Sequence, residues 1–352
     1  MNTSYHKKYS DYLHKTIDII NLLLPPCNLD PKQIDGGNSL IRILAISCVL
    51  LIHLHTYLKP WISFDQLISC CTYCCFWAVP AFVCLSGKQI PIQIPYQTFY
   101  KKKFYRIFIP TIFWSIIFSL FLIFKSKYSL KSIFISYLNC GPFFHLWFMY
   151  MLCGLYLLAP FCSIFIIKIP FLYLIPFAII IMFKPTIWDN PPWRYSLLLS
   201  LPYIFMFITG GLISRLHITK KIGLLSCFSA LLYLLFMVGV ATVFLNSKQA
   251  PQYPFFHYLS FFGYWGGTSL TVSLLWLGTF LTHNTKVILF KFSQLVFGVY
   301  FIHPIVISFL IKLINFKSLN TISFFFIYFI YWLLCFIIVI CLKKIKFLHQ
   351  FI

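Results

Sequence analysis

The chain is divided into long apolar runs, of about 17–25 residues, that are separated by short polar segments. An α-helix rises about 1.5 Å per residue, so about 20 apolar residues cross the hydrocarbon core of a bilayer. A helix also satisfies its own backbone polar groups, which an apolar solvent requires. The sequence therefore predicts an all-α polytopic membrane protein with about ten transmembrane helices. The expected spans are roughly residues 40–58, 67–87, 104–124, 144–166, 170–187, 196–215, 222–245, 260–282, 294–314 and 321–342.

The composition agrees with a membrane protein. Hydrophobic residues make up 61% of the chain and charged residues 10%, whereas soluble domains carry about 25% charged residues. A net charge of +22 would indicate a nucleic-acid partner in a soluble protein. Here the basic residues lie in short loops between apolar runs, where they set orientation and contact anionic headgroups. We therefore expect membrane lipids, and no nucleic acid, as partners.

The distribution of lysine and arginine predicts the orientation of the helices. With the N-terminus in the cytosol and alternating spans, most of the 28 basic residues fall in cytosolic segments, as the positive-inside rule requires. We therefore place both termini in the cytosol. The expected organisation is a cytosolic N-terminal tail (1–38), a ten-helix membrane domain (39–343) and a short cytosolic C-terminal tail (344–352).

Acidic residues are scarce, and their positions argue against several functions. The chain has six, and none lies inside an apolar run: Asp11, Asp18, Asp30, Asp35, Asp65 and Asp189. Ion-coupled transporters usually keep carboxylates at membrane depth, so that class is disfavoured, as is a paired-carboxylate active site. The cluster "CCTYCC" (70–75) lacks nearby histidine or acidic ligands, so we expect no metal there.

The first apolar run carries three ionisable residues, Arg42, His53 and His55. Arg42 and His53 are eleven residues apart, which is three helical turns plus roughly 20°, so they share one face, and His55 points almost the opposite way. Arg42 would lie at the cytosolic end and His53 roughly 16 Å deeper. Two structural interpretations remain open: an arginine anchor that reaches the interface, and a buried histidine bonded to a neighbouring helix. The functional interpretation is a histidine that takes a proton from an alcohol.

The segment "YKKKFYRIFIP" (100–110) opens the third run with a dense basic patch. Lys103 and Arg106, at i and i+3, would share a helix face. One interpretation is an ordinary cytosolic positive cluster. The other is a binding site for a phosphate-rich cytosolic molecule, with a bidentate arginine and point-charge lysines.

Two segments that follow basic or apolar runs contain further candidates. "FVCLSGKQ" ends the second run with Ser86 and Gly87, where glycine suits a helix end or a close backbone approach. A nucleophilic serine there would need a base within reach. "HLWF" places His145 and Trp147 at the expected outer interface, where a capping histidine and a belt tryptophan are the structural alternative.

The ninth run contains "FGVYFIHPIV" (297–306), with Tyr300 and His303 at i and i+3. A proline inside a span leaves a carbonyl without its usual donor and bends the helix. His303 would lie at a middle depth, similar to that of His53.

Taken in order, these motifs resemble the acyltransferase-3 family of integral membrane O-acyltransferases, over residues from about 38 to 342. The family pattern of an arginine, ten residues and a histidine matches Arg42 and His53. "VPAFVCLSG" is similar to its P-x-F-x-x-x-S-G segment, and "KFYRIFIP" to its R-x-x-R motif. "HLWF" and "FGVYFIHP" are similar to segments of members that modify surface glycans.

The resemblance implies an O-acetyltransferase of a bacterial surface or lipid-linked glycan, in the inner membrane, with cytosolic acyl-coenzyme A, usually acetyl-CoA, as donor. His53 and Arg42 would be the catalytic residues, with His53 either a general base or a transient acyl carrier. The residues expected to bind the coenzyme are Lys103, Arg106, Arg42 and Ser86. The acceptor-side candidates are His145, Trp147, Asp189 and His303. A glycan exporter or flippase and a structural membrane subunit are the alternatives, and the oligomeric state is left open.

This chain departs from the family pattern at two positions. The family often has an acid three residues before the arginine, and here that residue is Ser39, although Asp35 could reach Arg42. Lys103 replaces the first arginine of R-x-x-R, which keeps the charge but loses the bidentate geometry.

Overall fold

The computed structural model describes residues 34–58, 66–91, 95–126, 129–138, 141–168, 203–246, 261–313 and 319–352, and within these ranges the secondary structure is helical, with no β-strand. The helices are α1 (Gly36–Leu58), α2 (Gln66–Tyr73), α3 (Ala78–Gly87), α4 (Tyr96–Lys103), α5 (Ile109–Ser126), α6 (Leu130–Leu138), α7 (Trp147–Leu157), α8 (Ala159–Lys168), α9 (Ile204–Arg215), α10 (Lys220–Asn246), α11 (Phe261–Thr279), α12 (His283–Ser293), α13 (Val296–Leu313) and α14 (Thr321–Lys343). A π-helical turn (Phe104–Phe108) joins α4 to α5, and a 3₁₀ turn (Leu348–Phe351) follows α14.

Several of these helices have the length and apolarity that a membrane span needs. Among the described residues, six segments qualify, or seven if α7 and α8, which meet at a bend of 61°, count as one broken span. The six are Gly36–Leu58, Gln66–Gly87, Tyr96–Phe124, Lys220–Val243, Val296–Leu313 and Thr321–Lys343. The prediction of a helical, multi-pass membrane protein is therefore confirmed.

The remaining predicted spans have a mixed outcome. Helix α11 covers most of the run expected at 260–282, but it is not among the six qualifying segments; its glycine, serine and threonine residues reduce its apolarity. Residues 170–187 lie outside the described ranges, and only the second half of 196–215 is described, as α9. The count of ten spans, the three-part division of the chain and the cytosolic location of both termini stay predictions.

Helix α1 occupies the centre of the helical assembly. It packs against α2, α3, α11, α12, α13 and α14, and residues such as Ile41, Ala45, Leu50 and Leu54 are buried along it. A helix surrounded by other helices can carry polar side chains that lipid would reject, because those side chains face protein. This position explains how Arg42 and His53 are accommodated.

The outer helices present apolar side chains to their surroundings. Phe228 and Leu235 on α10, and Phe326 and Phe329 on α14, are largely exposed. On a soluble protein such a surface would lead to aggregation, whereas on a membrane protein it is the face that contacts lipid. The distribution of exposed residues thus supports the composition argument.

The segment that follows α14 packs against the helices. The Trp114 indole donates a hydrogen bond to the carbonyl of Phe351 (2.9 Å), and the Phe351 ring stacks on Phe113 with centroids 4.1 Å apart. Ile352 is buried as well. The segment expected as a C-terminal tail is therefore folded against α5, and it brings polar side chains to the cavity described below.

Candidate functional site

A cavity of about 460 Å³ opens near the first residues of α1, within the volume range of small-molecule sites. Its polar lining comes from five separate segments of the chain: Arg42, Ser86, Gln89, Lys102, Lys103, Arg106, Ser293, Gln294, Lys343, His349 and Gln350. We call it the basic cavity. The four residues expected to bind a coenzyme, Arg42, Ser86, Lys103 and Arg106, all line it.

Among the residues that the structure describes, no acid lines the basic cavity. Across the described ranges, the only ion pair joins Lys88 to Asp35, at 3.9 Å. In the same ranges, no hydrogen-bond partner is found for the guanidinium groups of Arg42 and Arg106. Cations that are held close together without carboxylates favour an anionic ligand, and guanidinium groups bind phosphate in a bidentate manner.

Lys103 is fixed at the floor of this cavity. Its ammonium group donates a hydrogen bond to the Gln89 side-chain oxygen (2.6 Å) and lies 4.1 Å from the centroid of the Tyr156 ring. The side chain is only 7% exposed. A neutral amide oxygen and an aromatic face hold the Lys103 side chain without supplying a counter-charge, so Lys103 is fixed in place at the cavity.

The π-helical turn at Phe104–Phe108 separates Lys103 from Arg106. A regular α-helix would place these residues on one face, as the i, i+3 spacing predicts. Because a π-helical turn holds more residues than an α-helical turn, it rotates Arg106 away from Lys103. Lys103 is buried and Arg106 is exposed, yet both line the cavity, one at its floor and the other at its mouth.

Asp35 does not form an ion pair with Arg42. It therefore does not replace the acid that the family pattern often has at the position of Ser39. Its carboxylate accepts hydrogen bonds from the backbone N–H (3.0 Å) and the side-chain amide of Asn38 (2.5 Å), and so caps the start of α1. The Lys88 ammonium group donates a hydrogen bond to the side-chain oxygen of Asn38 (2.9 Å) and forms an ion pair with Asp35. Burial lowers the pKa of Lys88, and the nearby Asp35 carboxylate opposes that shift. Arg42 is left to face the cavity.

The Ser86–Gly87 pair is explained by close helix packing. A side chain at Gly87 would meet the carbonyl oxygen of Phe207, and one at Gly210 would meet that of Cys84, so α3 and α9 cross at backbone contact. The Ser86 hydroxyl donates to the Phe82 carbonyl of its own helix (2.8 Å). A nucleophilic role for Ser86 has no support in this geometry, because a base next to its hydroxyl is not found among the described residues.

A second, smaller cavity of about 40 Å³ contains His53. We call it the inner cavity. Its lining consists of Val49, Ile52, His53, Val79, Phe82, His145, Trp147, Phe148 and Tyr300. Arg42 and His53 therefore line different cavities, about 16 Å apart along α1.

Three histidines meet beside the inner cavity. The rings of His53 and His303 are stacked with centroids 5.0 Å apart, and the ring of His145 lies edge-on to His303 at 5.2 Å. Across the described ranges, no hydrogen bond is found to the ring of His53, and both ring nitrogens of His145 lack a partner as well. Within these ranges, the ring nitrogens of His53 and His145 are therefore not engaged by other protein groups.

Pro304 determines which nitrogen of His303 carries the proton. Proline lacks the N–H that would bond the carbonyl of Tyr300, and the His303 ring takes its place, with Nδ1 2.6 Å from that oxygen. A carbonyl only accepts hydrogen bonds, so Nδ1 carries the hydrogen and Nε2 of the neutral ring is left as an acceptor. Tyr331 donates to the carbonyl of His303 itself (3.1 Å), which fixes this turn of α13.

Three aromatic residues, Phe82, Phe148 and Tyr300, line both cavities. The Phe148 ring contacts the other two, with centroids 6.1 Å from Phe82 and 5.7 Å from Tyr300. The Tyr300 hydroxyl donates to the carbonyl of His145. These rings form the partition between the basic cavity and the inner cavity.

The other predicted residues have different outcomes. His145, expected at an interface, is 2% exposed and lies inside the protein; the hydropathy boundary missed the turn that folds it inward. Trp147 lines the inner cavity, and Asp189 lies outside the described residues. His55 faces away from the histidine cluster, since its ring contacts Phe324 on α14.

Several cavity residues had no strong indication in the sequence. Lys343 stands among lysines that end the last apolar run and reads as a membrane anchor. His349 and Gln350 belong to the segment predicted as a tail. Tyr156 was one apolar residue among many. Only the return of the C-terminal segment and the packing of α7 bring them to the basic cavity.

Comparison with known families agrees with this geometry. A family model described as an acyltransferase domain matches residues 35–342, nearly the whole chain. The chain belongs to this acyltransferase-3 family, and the prediction of family membership is confirmed. Together with its apolar helices, the match identifies a membrane acyltransferase. No curated protein and no solved structure matches the chain.

Proposed function

We propose that the protein transfers an acyl group, usually acetyl, from cytosolic acyl-coenzyme A to a hydroxyl of a bacterial surface or lipid-linked glycan. The observation that carries the proposal is the pairing of two adjoining cavities. One is lined by cations that have no carboxylate partner within the described ranges, and the other contains His53 and His145. An acyl donor with an anionic portion for the first cavity and a neutral reactive end for the second fits these two cavities.

The phosphates of coenzyme A would bind at the mouth of the basic cavity. Arg106 and Lys102 are exposed there, Arg42 lies further in, and Lys103 marks the floor. Guanidinium groups provide bidentate hydrogen bonds to phosphate, and lysines add point charge. With the phosphates so held, the acyl end of the molecule would extend toward the partition and His53.

The transfer itself requires one proton to move. The acceptor oxygen attacks the thioester carbonyl, a C–O bond forms and the C–S bond breaks. His53 accepts the hydroxyl proton and returns it to the departing thiolate, so the products are the O-acyl ester and free coenzyme A. The same products result if the His53 imidazole first carries the acyl group. His145 and His303, beside His53, would orient the acceptor or His53 itself.

The acceptor would approach from the side of the inner cavity that is away from the basic residues. Phe144 contacts the His53 ring at 5.1 Å and is 43% exposed, and Trp147 lines the cavity nearby. Aromatic side chains of this kind commonly stack on apolar faces of ligands. With the basic cavity open to the cytosol, this arrangement corresponds to an inner-membrane enzyme with an acceptor at the opposite face.

The experiment uses the full chain reconstituted in liposomes with acetyl-CoA and an unacetylated glycan extract. Release of free thiol together with O-acetylation of the glycan supports the proposal. Acetylation without added glycan would identify a different acceptor. Glycan flux across the membrane without thioester consumption would favour the exporter instead.

A further inference from the structure

The partition between the two cavities has one ring at its centre. Phe148 lies between Phe82 and Tyr300 and contacts both; it also meets Trp147 edge-on at 6.0 Å. Phe148 is only 9% exposed, so its ring has little freedom to turn aside. Whatever reaches His53 from the basic cavity must pass this ring or fit beside it.

The other two rings are also restrained. The Tyr300 hydroxyl donates a hydrogen bond to the carbonyl of His145, and the Tyr300 backbone carbonyl accepts a hydrogen bond from the His303 ring. Phe82 belongs to α3, which is locked against α9 by the backbone contacts at Gly87 and Gly210. The partition is therefore a rigid part of the fold, and its position sets the size of the inner cavity.

The inner cavity is small in absolute terms. Space for a single water needs roughly 10–15 Å³ on the same scale, so a cavity of about 40 Å³ holds about three non-hydrogen atoms. An acetyl group has that size. Val49, Ile52 and Val79 provide the apolar wall that suits a methyl group and offers no polar partner to a longer or functionalised chain.

We propose that Phe148, together with Phe82 and Tyr300, sets the length of the acyl chain that can be placed beside His53, and so restricts the donor to acetyl. This inference rests on the proposed function, because it assumes a thioester donor in the basic cavity. The selection acts on the acyl end alone: the phosphate-binding cations are the same for every acyl-CoA, so chain length affects turnover and not the capture of the coenzyme.

The test compares acetyl-, propionyl-, butyryl- and hexanoyl-CoA with the full chain in liposomes. The wild-type protein is expected to favour acetyl over propionyl by about 10-fold or more, since one methylene in a filled pocket changes discrimination by about 10–200-fold. Phe148→Ala and Phe148→Leu open the partition and are expected to raise the butyryl-to-acetyl ratio of kcat/KM by about 10-fold. The leucine variant keeps an apolar side chain for the case in which the alanine variant does not fold.

Phe324→Leu is the matched control. Phe324 is fully buried and lines neither cavity, so its substitution perturbs packing without widening the partition. Its butyryl-to-acetyl ratio is expected to equal that of the wild type. Binding of free coenzyme A, measured by calorimetry, is expected to be the same in Phe324→Leu as in the wild type, since Phe324 lines neither cavity.

The outcomes separate the two proposals. A wild-type protein that uses butyryl-CoA as well as acetyl-CoA would overturn the chain-length inference and leave the acyltransferase function intact. The same holds if both Phe148 variants bind coenzyme A, turn over acetyl-CoA and keep the wild-type ratio. A wild-type protein that neither binds coenzyme A nor consumes any thioester would overturn the proposed function, and the inference with it.

Discussion

The basic cavity and the inner cavity adjoin each other but are built in opposite ways. The basic cavity is about 460 Å³ and takes its cations from the ends of helices, where long side chains reach in from α1, α4 and α14. The inner cavity is about 40 Å³ and is lined by two histidines and by apolar residues that are aromatic or β-branched. In the basic cavity, several segments each contribute positive charge. The shape of the inner cavity depends on how a few aromatic rings pack together.

Because the two cavities are built differently, we expect them to respond differently to substitutions. Removing one cation from the basic cavity leaves the others in place, so binding should weaken without being abolished. Removing His53 takes from the inner cavity the histidine that the central helix supplies, whose ring has no hydrogen-bond partner within the described ranges. Helix α3 contributes to both cavities, through Ser86 on one side and Val79 on the other, so its position should affect both.

The largest expected effect is on catalysis at the inner cavity. His53→Ala is expected to lower kcat for acyl transfer by about 10²–10⁴-fold, because it removes the group that accepts the hydroxyl proton. Affinity for coenzyme A should stay near the wild-type value, since His53 does not line the basic cavity. Thiol release and calorimetry measure the two quantities.

His55→Ala is the control on the same helix. His55 packs against Phe324, so its loss should leave kcat close to wild type. Equal losses in the two variants would mean that α1 has a structural role only.

The next effect tests the framework that both cavities share. Gly87→Ala forces a Cβ against the Phe207 carbonyl and is expected to destabilise the protein by about 1–3 kcal/mol, with loss of both coenzyme binding and turnover. Thermal unfolding in detergent measures the change. Gly239→Ala, where nothing lies within 4 Å, should be neutral or slightly stabilising. A wild-type unfolding temperature for Gly87→Ala would contradict the close crossing of α3 and α9.

A smaller effect is expected at the basic cavity. Arg106→Ala should weaken coenzyme A binding by about 10–100-fold through the loss of a charged hydrogen-bond donor to phosphate, and binding should become less sensitive to salt. Calorimetry at two ionic strengths checks this. Lys220→Ala removes a cation of α10 that does not line the cavity, and it should bind as wild type. Equal weakening in both variants would indicate a general charge effect.

The smallest effect concerns the partition. Tyr300→Phe keeps the ring but loses the hydrogen bond to the His145 carbonyl, which is worth about 0.5–1.5 kcal/mol. Turnover of acetyl-CoA should fall by no more than about 10-fold, with little change in the acyl-chain preference. A full shift to longer chains in this variant would show that the hydrogen bond, and not the size of the rings, holds the partition.

Much of the fold could be predicted from the sequence, because a bilayer imposes a simple rule on length and apolarity. The first span was expected at 40–58 and α1 runs from Gly36 to Leu58. The breaks within spans were harder to predict. The turns at residues 74–77 and the bend between α7 and α8 occur inside continuous apolar runs, where the hydropathy pattern carries no information about backbone direction.

Some features of the candidate site could be predicted from the sequence and others could not. The i, i+11 spacing predicted that Arg42 and His53 project to one side and His55 elsewhere, because an α-helix has a fixed period, and α1 runs unbroken through all three residues. The relation of Lys103 to Arg106 was predicted less well, since a π-helical turn has no simple sequence signal. The burial of His145 was not predicted either, because it depends on how one turn folds against α13.

The helical membrane class, the family and the separation of Arg42 from His53 could be inferred without a structure, because each follows from local periodicity, motif order or the demands of an apolar solvent. Only the packing of the helices brings the lysines and arginines of three distant segments to one cavity, brings three histidines together, and places Phe148 between the two cavities. These contacts join residues far apart in the chain, and they arise from side-chain packing between helices, which no local pattern records.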